Sequence, residues 1–276
     1  MKKAKRIAAH VTRYGLLMIW TAVCIGPFAW ILLSSFKEIR EIIAWPPTFW
    51  PSTFTFSNYV QAWTTVPYAR YLFNSFFVSA VSTVSVILVS CLAAYSLVVL
   101  KSSLSRFVTI LILIGLIMPA QITFVPLFKM VRTFGLIDTY VGLMLPYLAT
   151  AFGVFMMMSF LKMLPFSLVD AARIDGLNEA GIVIRNVIPN VKSGIITLII
   201  FNFQQVWKDF FWPLLLINKT ELRTVPIGMT AFLQMEAQNQ GHILAAAVIS
   251  IIPLFFVYAI FQKQFVQGTS FSGLKM

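Results

Sequence analysis

The sequence predicts an all-α integral membrane protein with six transmembrane helices and both termini cytoplasmic. Composition is the first reason. The 276 residues are 59% hydrophobic and 11% charged, with a mean hydropathy of +0.86. Soluble domains run at roughly 45–50% apolar and about 25% charged. The second reason is distribution: the apolar residues gather into six runs, each long enough to cross a bilayer. A third is the placement of charge. A net charge of +12 would on its own fit nucleic acid, but the basic residues fall where membrane topology puts them, so lipid and not nucleic acid is the expected partner.

Residues 1–13 form a basic leader with Lys2, Lys3, Lys5, Arg6 and Arg13. The run 14–36 follows and would extend roughly 34 Å as a helix, enough for a hydrocarbon core. A signal peptide has a shorter apolar region and a small-x-small cleavage site, so this run reads as an uncleaved anchor. Residues 37–70 are a polar loop rich in Pro and Trp (WPPTFWPSTFTFSNY), with aromatics suited to a membrane–water interface. Residues 71–265 form a five-helix core with spans at 71–100, 106–128, 140–161, 194–217 and 243–265. A charged loop at 162–193 separates the fourth and fifth of the six spans, and 266–276 is a cytoplasmic tail.

Lys and Arg orient these spans by the positive-inside rule. With a cytoplasmic N-terminus, the inner segments hold the five leader residues and Lys101, Arg106, Lys162, Arg173, Arg185, Lys192, Lys263 and Lys275. The outer segments hold Lys37, Arg40, Arg70, Lys129, Arg132, Lys219 and Arg223. The inner acids are Asp170, Asp175 and Glu179; the outer ones are Glu38, Glu41, Asp138, Glu221 and Glu236. Lys208 and Asp209 lie within a span.

The charged loop has a pattern of its own. Ala172, Gly176 and Ala180 stand at i, i+4 and i+8, which would make one smooth strip along a helix face. Such a strip lets another backbone approach closely. Pro189 is expected to stop this helix, because its ring cannot continue the hydrogen-bond ladder. The stretch reads as a docking element exposed to water.

In the fifth span Asn202, Gln205, Asp209 and Trp212 recur at i, i+3, i+7 and i+10, predicting a polar face that ends in an indole. Two readings stand side by side. Those residues either glue neighbouring helices or line a pathway for a polar solute. Ser75, Ser79 and Ser82 share a face of the second span, as a close helix seam needs. Pro119, Pro126, Pro146, Pro213 and Pro253 interrupt the other spans and permit kinks, whether as hinges or as inert bends.

Chemical signatures are missing. No G-x-x-x-x-G-K-[ST] phosphate loop and no G-x-S-x-G elbow occurs in the sequence. His10 and His242 have no companions at metal-ligand spacing. Cys24 and Cys91 sit inside apolar runs and read as small hydrophobes. The sequon Asn218–Thr220 is too short a motif to weigh. The chain is not expected to be an enzyme, or to hold a metal or a cofactor of its own.

Asp170-Ala171-Ala172, Asp175-Gly176 and Ile188-Pro189 together resemble the EAA loop of binding-protein-dependent ABC importer permeases. The stretches IMPAQITFVPLF, W-x-D-F-x-W-P-L at 207–214, and AAAVISIIPLFFVYAIFQKQFVQGTSFSGLKM are similar to the sugar-importer branch, and to its maltose-type subunit with a C-terminal tail. Asp170 stands where Glu is commoner, and Ile188 where Leu is usual. The resemblance implies a type I ABC importer permease fold, with the EAA helix between the fourth and fifth spans inserted into a cleft on a cytoplasmic ATPase dimer. Asp170, Ala171, Ala172, Arg173, Asp175, Gly176, Ala180 and Pro189 would make that contact. The tail, with Gln267, Gly268 and Gly273, would also reach the ATPase.

By the same resemblance ATP is hydrolysed by the partner subunit, a second homologous permease completes the pathway, and an extracytoplasmic solute-binding protein delivers substrate, facing the loop 218–241. The location is the inner membrane of a prokaryote. A sugar or oligosaccharide is the expected substrate, with glycerol phosphate or another polyol as the alternative. Readings of another class are an ion-coupled secondary transporter, which needs coupling groups at membrane depth, or a membrane scaffold without a pathway.

Overall fold

A computed structural model describes residues 2–234 and 240–272, and the described residues are helical apart from turns and loops. Among the described residues, three helices are long and apolar enough to cross a membrane: 12–34 within α1 (Lys2–Ser34), 68–100 beginning with α2 (Tyr68–Tyr95), and 240–262 within α3 (Gln240–Ser272). Three further helix pairs pass the same test only together, because each is sharply bent, so six spans is the upper bound.

Some of the prolines that interrupt the spans coincide with these bends. Residues 106–128 are not one helix: α4 (Ser105–Ile117) and α5 (Ala120–Thr133) meet at 104°. The cause is Pro119, which sits in extended conformation at the cap between them and forces the preceding residue out of the helical region. Residues 140–147 and α6 (Ala151–Leu161) meet at 45° across 148–150, directly after the 3-10 turn that holds Pro146. Pro126 and Pro253, by contrast, lie inside continuous helices.

The chain divides into two compact units. One comprises 1–68 and 229–252. There the chain leaving α1 is pinned by Asn58, whose amide donates to the carbonyls of Ser35 at 2.9 Å and Lys37 at 2.8 Å. The Lys37 side chain is 1% exposed; its ammonium lies 4.8 Å over the Trp30 ring and donates to the Thr48 carbonyl. Burying an ammonium is costly unless it is bonded, so these contacts fix the start of the aromatic loop.

The second unit comprises 69–228 and 253–276. Its core packs α2 against α6 and the segments that follow. In lipid, helices associate through close packing and hydrogen bonds, since the solvent is itself apolar. Gly153 illustrates the first: a Cβ there would lie 2.5 Å from Ser90 Oγ, so α6 approaches α2 with no room for a side chain. The serine seam is buried as expected, with Ser75, Ser79 and Ser82 all inaccessible, and Ser75 Oγ accepts from the Val225 N–H at 2.8 Å. Asn74 supplies the second kind, donating to the carbonyls of Glu221 at 2.8 Å and Arg223 at 2.9 Å while accepting from Tyr140 Oη at 2.6 Å.

Candidate functional site

The charged loop folds as a helix–turn–helix. Helix α7 (Ser167–Ile174) ends at Asp175, Gly176 adopts φ +80°, and a short helix α8 (Glu179–Ile182) begins after Asn178. The turn closes by two backbone bonds, Gly176 N–H to the Arg173 carbonyl at 3.0 Å and Leu177 N–H to the Ala172 carbonyl at 3.1 Å. That 5→2 and 6→1 pair is the Schellman ending, which needs a left-handed residue and so favours glycine. Asn178 then caps α8 by accepting from Gly181 N–H at 2.8 Å.

This geometry overturns the smooth strip. Ala172, Gly176 and Ala180 cannot share a helix face when the helix stops before Gly176. Ala172 is 2% exposed and packs with Val169 and Ile182 in the unit's own core, whereas Gly176 and Ala180 are exposed. Asp170, Ala171, Arg173 and Asp175 are exposed as well. Sequence reasoning missed Ile174, which stands 86% exposed at the end of α7; the Asp-Gly pair that follows it is a turn signal that could have placed it there. Nor does Pro189 end the helix by itself. A π-turn at Val183–Val187 and the short helix Ile188–Asn190 come first, and the chain bends by 78° at Val191, before α9 (Lys192–Trp207).

Electrostatically the segment is held by one cation between two acids. Arg173 lies 3.1 Å from Glu179 and 3.6 Å from Asp170. The hydrogen bond it donates to Glu179 raises the guanidinium above its ordinary range. The groups are half-exposed, where such pairs contribute little stability, so their use is orientation.

The polar face of the fifth span does not exist as a face. Helix α9 stops at Trp207, and Asp209 lies in the break before α10 (Phe211–Leu216), so residues 202, 205, 209 and 212 are not on one helix. Asn202 is buried and donates to Thr83 Oγ1 on α2 at 3.1 Å. Gln205 is exposed. Asp209 accepts from the Tyr147 hydroxyl and from Phe211 N–H at 3.3 Å. Trp212 is fully buried and donates its indole N–H to the Gly142 carbonyl at 3.1 Å, so it is a core anchor and no platform for a solute. Of the tail positions, Gln267 and Gly268 fall within α3, while Gly273 lies outside the described residues.

Known proteins place this geometry. Residues 86–271 match the family described as binding-protein-dependent transport system inner membrane component. The diacetylchitobiose uptake system permease protein NgcG of Streptomyces coelicolor is 32% identical over 93% of this chain and 86% of its own. The sulfoquinovosyl glycerol transport system permease protein SmoH of Agrobacterium fabrum is 35% identical over 90% and 88%. A crystal structure of a bacterial ABC transporter involved in alginate import superposes with a TM-score of 0.83, at 22% identity, over 94% of this chain and 97% of that one; it establishes the fold. The chain therefore belongs to the family of inner-membrane components of binding-protein-dependent transport systems, as a multi-pass ABC importer permease and not an enzyme.

Proposed function

We propose that this permease imports a sugar or oligosaccharide and is driven by a separate ATPase that docks on the Ser167–Ile182 segment. The observation that carries the reading is the exposed helix–turn–helix itself. It is seated on the core through Val169, Ala172 and Ile182 and offers Ile174, Ala171 and the bare Gly176 turn outward. Ala171 and Ile174, three positions apart, share one exposed face of α7 beside the turn. In this reading both termini are cytoplasmic, a second homologous permease completes the pathway, and the tail from Gln267 through Gly273 reaches the same ATPase dimer. A binding protein on the far side delivers the substrate.

The carbohydrate assignment is supported by the relatives, whose names specify uptake of diacetylchitobiose and transport of sulfoquinovosyl glycerol. The second of these carries a glycerol moiety, which keeps a polyol-containing substrate as the alternative.

The test is purification of the chain with its co-expressed partners, followed by uptake into liposomes. ATPase retention and ATP-dependent uptake of a labelled oligosaccharide are expected, with retention reduced by Ile174→Asp. ATP-independent uptake by the chain alone would overturn the proposal in favour of ion coupling, and stable membrane insertion without an ATPase or uptake would favour a scaffold.

A further inference from the structure

One carboxylate joins the segment proposed to dock the ATPase to a membrane helix. Tyr95 is 3% exposed and is the last residue of α2. Its hydroxyl donates to Glu179 Oε2. The other oxygen of that carboxylate, Oε1, accepts from Arg173 Nε at 3.1 Å. Glu179 thus joins the end of α2, 84 positions away in sequence, to the docking helix α7: Oε2 takes the tyrosine and a longer 3.5 Å bond from Arg173 Nη2, and Oε1 takes Arg173 Nε.

The surroundings separate what packing can transmit from what these bonds add. Tyr95, Val169, Ala172, Ile182 and Val183 lie in one apolar cluster. Apolar contact resists compression but is non-directional, so packed helices can slide over one another. Hydrogen bonds to a charged group are directional and about twice as strong as neutral ones. Each side of the link also runs into a π-helical turn. Ser96–Leu100 begins immediately after Tyr95, and Val183–Val187 begins four positions beyond Glu179. Such turns are rare and recur at functional sites in helices. Two of them flank the one bridging carboxylate.

From this arrangement we infer that Tyr95, Glu179 and Arg173 form a positioning link that fixes the register in which movement of the docking segment is passed to α2. The inference rests on the coupling reading above and names the residues that carry the motion onward. Asp170, 3.6 Å from Arg173, holds the guanidinium from the opposite side.

The experiment compares wild type, Tyr95→Phe and Glu179→Gln in the full complex reconstituted in liposomes, reading bound ATPase, membrane abundance and substrate imported per ATP hydrolysed. Tyr95→Phe deletes one hydroxyl and keeps the ring. It should hold the ATPase in wild-type amount yet lower import per ATP by about tenfold, the size of one lost hydrogen bond to a charged group. Glu179→Gln removes the charge and leaves one acceptor oxygen for two donors, so a loss at least as large is expected. Wild-type import per ATP in Tyr95→Phe overturns the link, as does a fall in abundance with the ratio intact, which is a purely structural role. Absence of any ATPase on the wild-type chain is a different result: it removes the coupling reading, and the link with it.

Discussion

The 167–182 and 202–212 segments look alike on paper and differ in space. Each places polar or small residues at helical spacing inside a very apolar chain. In both, the helix breaks before the pattern is complete, at Gly176 in one and after Trp207 in the other. The first then turns Ile174, Gly176 and Ala180 outward. The second turns Asn202 and Trp212 inward, where each bonds within the chain. Helical spacing groups side chains only while the helix lasts. A polar residue in a membrane span says that it needs a partner, not whether the partner is a neighbouring helix or a solute.

The sharpest way to break the contrast is at Trp212. If it is a core anchor, Trp212→Ala leaves a large void and orphans the Gly142 carbonyl. The expected loss is on the order of 2–4 kcal/mol, packing rather than transfer from water being the dominant part in lipid. Thermal unfolding in detergent should show it, with membrane abundance falling in parallel. Gln205→Ala, one turn into the exposed side of α9, should move neither. A Trp212→Ala protein of normal stability with altered substrate preference would instead restore the indole to a pathway wall.

Gly176 comes next. Its φ of +80° penalises any L side chain, yet a Cβ there meets nothing within 4 Å. Strain and bulk therefore separate. Gly176→Ala should cost about 1–2 kcal/mol of turn stability, and Gly176→Asn less, since asparagine tolerates the left-handed region. Both should still bind the ATPase. Gly176→Trp adds bulk at a site where the chain leaves the Cβ free, so a loss of bound ATPase on pull-down beyond any seen with Gly176→Ala reports a partner surface close to the turn. Equal retention by all three would remove the close approach.

Much of this was legible from the residues. The apolar runs marked helices that the structure contains, since lipid imposes length and hydropathy directly, and Asp175-Gly176 marked the turn in the charged loop. The breaks were less so. Pro119 and Pro126 are seven positions apart, and only Pro119 stands at a helix break. Ala172 was misread because a small residue that faces its own core and one that awaits a partner leave the same trace. Tyr95 and Tyr147 gave no local signal: their acidic partners, Glu179 and Asp209, are 84 and 62 positions away.

The smallest effect expected is electrostatic, at the far end of the buried segment. Asp138, in left-handed conformation at φ +57°, accepts from Asn218 N–H at 2.6 Å and Lys219 N–H at 3.0 Å, and its own N–H donates to the Leu216 carbonyl at 3.3 Å. It thereby closes off α10, the helix that carries Trp212. Partial burial pushes its carboxyl up, but the two backbone donors outweigh that and hold it below its ordinary 3.8. A carboxyl lowered in the folded state stabilises fully above the unfolded value and loses that contribution as pH falls through the folded one. The joint should therefore be intact at neutral pH and weaken only below about pH 3.8. Asp138→Asn accommodates the same backbone and removes the charge. Its melting temperature should lie below wild type at neutral pH, and the gap should close progressively in acid. A gap that persists unchanged at pH 3 would assign the loss to side-chain shape and leave the charge without a role in holding α10.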